Sequence, residues 1–124
     1  MTLELRSIVG RGDVTQERLT LRATRNLDVG DFAVLRVPYI DEMLMTDVKH
    51  AFWFPFGEVE KGDLVVIYSK KGVSRNKILS TGKTAHFFYW ESGVSLWEDT
   101  DYAAVVLQVS DWSFKGVREL AESR

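Results

Sequence analysis

Short apolar segments recur along the chain between clusters of Gly, Asp, Asn, Ser and Lys, and several alternate with period two. That period belongs to half-buried strands, whose successive side chains point to opposite faces. The clearest case is "QERLTLRAT", where Leu19, Leu21 and Ala23 share one face and Arg18, Thr20 and Arg22 the other. Fuller apolar runs suit central strands: "DFAVLRV" (31–37), "HAFWF" (50–54), "DLVVIYS" (63–69), "AHFFYW" (85–90) and "YAAVVLQVS" (102–110). "TLELRSI" near the start adds another candidate strand. The intervening "GRGD", "NLDVGD", "FPFGEVEKGD", "SKKGVSRN", "STGK" and "WEDTD" carry turn chemistry, and their spacing predicts hairpins rather than crossovers through helices. Two stretches have helical character: "YIDEMLMTDVKH" (39–50), predicted as a long connection with a turn of helix, and the tail at 116–124.

At 124 residues the chain suits one domain, residues 1–124, able to bury a core without disulfides or metal. Hydrophobic residues make up 45% and charged residues 27%, values that exclude disordered and collagen-like classes. Cysteine is absent, which removes disulfides, thiol nucleophiles and thiolate metal sites. No apolar run approaches the roughly 20 residues of a membrane-spanning helix, and "MTLELRSIVGRGD" lacks the apolar core of a secretory signal. The default expectation is a soluble cytoplasmic protein with no membrane association.

From residue 50 onward the order of elements is specific. "HAFWFPFGEVEKGDLVVIYSKKG" is an aromatic strand, a Pro and Gly turn, a Gly-Asp turn and an apolar strand ending in Tyr. "FFYW", "SGVSLW", "EDTD" and "YAAVVL" follow. This succession resembles the lamin tail domain family over about residues 15–110, most specifically over 50–107. The resemblance implies an all-β fold, an immunoglobulin-like antiparallel β-sandwich, which is an architecture that hosts many functions. In such a fold Trp53, Trp90 and Trp97 would be core and corner residues. Tyr102, at a strand start after the acidic turn, matches the tyrosine corner, where a Tyr hydroxyl bonds back to the chain.

Candidate chemistry is sparse. Glu98, Asp99 and Asp101 offer carboxylates in one loop but lack a patterned calcium-loop spacing, and solvated turn residues are the simpler reading. "STGKT" (80–84) lacks the upstream Gly of a phosphate-binding loop, since Lys77 stands there, and is followed by a strand pattern rather than a helix. His50 and His86 are the only histidines, and Ser92 and Ser95 lie near His86 in sequence. No G-x-S-x-G elbow accompanies them, so a hydrolase using either histidine is a minor alternative. Arg11, Gly12 and Asp13 form an adhesive-type tripeptide, but without a secretion signal a Gly-rich turn is much the better explanation. No cofactor motif is present.

Charge is segregated. Residues 69–83 hold Lys70, Lys71, Arg75, Lys77 and Lys83 with no acid, while 91–101 hold Glu91, Glu98, Asp99 and Asp101 with no base. The basic stretch is a candidate phosphate-contacting loop, although a net charge of −2 does not suit a dedicated nucleic-acid protein. The aromatic residues lie in apolar strand patterns and are predicted to be core rather than stacking platforms. The leading expectation is therefore a non-enzymatic interaction or structural module, docking a protein partner or a second copy through loops or an edge strand. Nucleic-acid contact through 70–83 is the alternative.

Overall fold

The computed structural model describes residues 1–123, and the chain is predominantly β with several sheets. β1 (Leu3–Val9) and β2 (Arg18–Ala23) form the first hairpin, antiparallel, with a register shift between Leu5 and Ser7 that bulges the edge strand at Arg6. β2 continues into β8 (Leu64–Tyr68), which borders β10 (Thr84–Tyr89), with β9 (Arg75–Ile78) outermost, giving the five-stranded order β1-β2-β8-β10-β9. One ladder departs from the expected antiparallel pattern: β10 runs parallel to β8, with Phe88 beside Ile67 and Tyr89 beside Tyr68. The chain leaves β8, passes over the place that β10 fills, builds β9, and returns through the Leu79–Lys83 turn. Gly72 in that passage lies so close to the Tyr89 ring that a Cβ would collide with it.

The second sheet is built around β4 (Phe32–Ile40), flanked by β11 (Tyr102–Gln108) on one side and β6 (His50–Trp53) on the other, both antiparallel. The far end of β4 turns back on β5 (Met43–Leu44) through Asp41 and Glu42, both at positive φ (51° and 61°). Two successive left-handed residues make the primed turn that matches strand twist. Residues 39–50 thus contain a tight hairpin where the sequence predicted a turn of helix, because the pairs Tyr39–Leu44 and Ile40–Met43 supply a ladder that an isolated helical turn lacks. β3 (Leu27–Asp28) pairs with β7 (Glu58–Val59). The Asp28 carboxylate joins the two segments by accepting from Gly30 N (2.8 Å) and Gly57 N (2.9 Å). The tail forms a short helix, α1 (Val117–Glu122), with no buried residue, while position 124 lies outside the described residues.

Both sheets fill one hydrophobic cluster. Leu3, Leu19, Leu21, Val65, Ile67 and Phe88 come from the five-stranded sheet; Phe32 and Val34 come from β4, with Phe52, Ala104 and Val106 packed alongside. Trp97 is buried and Trp90 half-buried, with ring centroids 6.0 Å apart at 72°, an edge-to-face contact. Trp53 departs from the expectation of a core role. Its neighbours in β6 alternate, so Phe52 points into the cluster and Trp53 away from it, 49% exposed.

Candidate functional site

The interior polar groups tie the fold together. Glu17 is fully buried at the start of β2, and its carboxylate accepts five hydrogen bonds: from Gly12 N, Ser95 Oγ and Trp97 N on Oε1, and from Ser69 Oγ and Leu96 N on Oε2. Burial pushes its pKa up, but the bonds from Ser69, Ser95, Leu96 and Gly12 outweigh burial and hold it below the ordinary glutamate value. This carboxylate joins the β1–β2 turn, the end of β8 and the segment that delivers Trp97. The Arg11, Gly12, Asp13 tripeptide belongs to that turn: Gly12 N reaches Glu17, and Asp13 accepts from both the backbone and the hydroxyl of Thr15.

Asp63 and His86 form a second buried pair, Nε2 to Oδ2 at 2.9 Å, and Asp63 also accepts from Glu60 N and Thr84 N. Burial raises the Asp63 pKa, and the bonds from His86, Thr84 and Glu60 overcome that and lower it. His86 lines a cleft of about 230 Å³ with Asn76, Phe56 and Phe88. Ser92 bonds instead to Ser69 O and Val94 O, and Ser95 to Glu17, so among the described residues neither serine hydrogen-bonds a histidine. His50 sits at the start of β6, where burial and the Arg36 charge lower its pKa.

Tyr102 departs from the tyrosine corner. Among the described residues its hydroxyl makes no hydrogen bond; the Arg36 guanidinium lies 3.5 Å from its ring centroid while Arg36 Nε donates to Leu96 O at 2.6 Å. Arg36 thus performs the fastening by stacking on one strand and bonding the segment before it. The acidic loop forms no cage: Asp99 Oδ1 accepts from Asp101 N, and Glu98 lies beside Gly12. No three His, Cys, Asp or Glu side chains converge as metal ligands among the described residues.

Two outward faces remain, and they differ in chemistry. On the sheet built around β4 the ladder aligns Ala33, Leu35 and the buried Val37 of β4 with Ala51 and Trp53 of β6 and Ala103, Val105 and Leu107 of β11. None is charged. Leu44, Met45 and Val48 border a groove of about 250 Å³ over Leu35, Val37, Val105 and Leu107. The face continues into an exposed aromatic cluster: Trp53 meets Trp112 edge-to-face at 4.9 Å, and Phe56 stacks on Trp112 at 6.3 Å and 20°. Trp53 is held there by a bond from its Nε1 to Gly30 O at 2.6 Å.

On the five-stranded sheet the outward positions include Arg18, Thr20 and Arg22 of β2, Val66 and Tyr68 of β8, Phe87 and Tyr89 of β10, and Arg75 and Lys77 of β9. Tyr68 stacks with Tyr89 (5.4 Å, 11°) and with Phe87 (6.3 Å, 29°). These three rings are half-exposed. They correct the expectation that aromatics serve only the core: in β10, His86 and Phe88 turn inward, and alternation sends Phe87 and Tyr89 outward. Lys70, Arg75 and Lys77 join this face or its rim, whereas Lys83 lies against Gly62 beyond the β9–β10 turn and Lys71 is exposed on the loop. No protein-family model matches the chain, and no match was found among the curated proteins compared with it.

Proposed function

We propose that the chain is a non-enzymatic protein-docking module on an immunoglobulin-like sandwich of the lamin-tail type. Two sheets sharing one core, with Trp97 buried, support that fold. The observation that carries the function is the uncharged outer face of the sheet built around β4. A sheet face turned to water normally alternates to polar residues; here Leu35, Val105, Leu107 and Trp53 stand where solvated side chains are expected. The adjoining Trp53, Phe56, Trp112 and Phe114 are 49%, 63%, 48% and 82% exposed, and Trp is among the residues that dominate docking energetics.

The test is capture from native lysate at low and high salt, with bound protein and nucleic acid both identified, using wild-type, Leu107→Lys and Trp112→Ser baits. The reading expects a protein retained at high salt by wild type and lost from both variants. A monodisperse monomer that retains nothing, or a partner indifferent to both substitutions, contradicts it.

A further inference from the structure

We propose that the outer face of the five-stranded sheet binds single-stranded nucleic acid, with bases stacked on Tyr68, Phe87 and Tyr89 and phosphates held by Arg18, Lys70, Arg75 and Lys77. This site is independent of the protein-docking reading, which uses the other sheet. Three features coincide here. The rings form one near-parallel group on neighbouring strands, Tyr68 stacked on both Phe87 and Tyr89 with Gly72 against Tyr89, and each ring keeps part of its surface open to solvent, where a base can stack. Cations border the group: Arg18 lies 5.6 Å and Lys70 5.0 Å from the centroid of Tyr68, the middle ring, and Arg75 lies 4.9 Å from that of Phe87. None of these four cations is ion-paired among the described residues, and Glu4, opposite Arg22 at the far edge, is the one acid that the register places on this face.

The cations now lean on the rings, an exposed cation–π contact that is weaker than base stacking, so a ligand that stacks while its phosphates take the cations replaces the weaker contact with two better ones. Three rings in one group match the two or three bases that a sheet platform accepts. An acidic peptide would use the cations but leave the rings without a purpose, and a flat sheet face cannot enter a duplex groove to read it. The overall charge of −2 does not oppose the assignment, because the relevant field is local and the acids of 91–101 lie in a separate segment.

The experiment is fluorescence anisotropy of an end-labelled oligothymidylate of about ten nucleotides, within the known span of single-strand sites. The full chain is titrated at several salt concentrations, with a duplex of equal length and polyglutamate as comparators. Four phosphate contacts give a slope of log K on log salt of about −2.8, a loss of roughly 50-fold between ~50 and ~200 mM. Arg75→Gln and Lys77→Gln, exposed positions on an edge strand, each flatten the slope by about 0.7. Tyr68→Ala weakens binding roughly tenfold or more. Lys115→Gln, off this face, leaves binding unchanged. Absence of binding at low salt, equal affinity for duplex or polyglutamate, or a slope indifferent to Arg75→Gln and Lys77→Gln overturns the proposal. The Gln variants retain the fold and decide the matter even where Tyr68→Ala unfolds.

Discussion

Replacing Glu17 by Gln keeps the shape of the side chain and turns one acceptor oxygen into a donor. If the amide nitrogen takes the Oε2 place, Ser69 can rotate its hydroxyl to accept, but Leu96 N is left facing a donor. If it takes the Oε1 place, Gly12 N and Trp97 N both lose their acceptor. The first arrangement is the milder, and an orphaned buried N–H costs about 1–3 kcal/mol. The surviving bonds also fall from charge-assisted to neutral strength, while relief from burying a charge offsets part of that loss. A destabilisation of about 2–4 kcal/mol results, a large share of the ~5–15 kcal/mol that a domain possesses. With an unfolding entropy of about 2.1 cal/mol/K per residue over 124 residues, Tm falls by roughly 8–15 °C.

The assay is thermal and urea unfolding followed by tryptophan fluorescence across pH. Because the folded pKa of Glu17 lies below its unfolded value, the contribution of this carboxylate is full above the unfolded pKa of about 4.3 and is lost as pH falls through the folded one. The gap between wild type and Glu17→Gln therefore narrows in acid. A variant within about 2 °C of wild type at neutral pH refutes the reasoning, as does a gap that widens on acidification.

Asp63→Asn should lose about 1–3 kcal/mol, because the amide cannot serve Thr84 N, Glu60 N and His86 together; urea midpoints near neutral pH check this. Since the Asp63 pKa is lowered, that deficit also shrinks as pH falls below the unfolded value of about 3.9. Arg36→Lys should cost about 1–2 kcal/mol, since an ammonium cannot lie flat on Tyr102 while bonding Leu96 O, and a shifted urea midpoint with unchanged slope is the expected sign. Gly72→Ala should destabilise by about 1–3 kcal/mol through collision with the Tyr89 ring, whereas Gly57→Ala, with open space around it, should be nearly neutral; paired melting curves separate them.

The strands were legible wherever period two was unbroken, as in β2, and wherever apolar runs were long, as in β8, β10 and β11. The parallel β8–β10 ladder was not, because strand order depends on how the Lys70–Ser74 passage packs over Tyr89, a contact between distant residues. The hairpin at Asp41 and Glu42 was hidden because neither residue is a Gly or Asn that would announce positive φ. Glu17 was within reach: it has the parity of Leu19, Leu21 and Ala23, so extending the alternation by one step places a carboxylate on the core side. The same counting separates Phe87 and Tyr89 from His86 and Phe88, and Trp53 from Phe52. Dense apolar runs obscure which side of a sheet each aromatic serves until its neighbours in the other strands are known. The basic residues were visible as a stretch, but only pairing of β9 with β10 places Arg75 over Phe87, and only stacking brings Arg18 to the same group.

The most direct test of the docking account is the affinity of a partner identified by capture, measured by titration calorimetry against wild type and two pairs of variants. Leu107→Lys and Trp112→Ser alter the uncharged face, and Arg75→Gln and Lys77→Gln alter the cationic one. The account predicts that the first pair weakens binding at least tenfold, about 1.4 kcal/mol, and that the second pair leaves it unchanged at high salt. Equal affinity across wild type, Leu107→Lys and Trp112→Ser would contradict it.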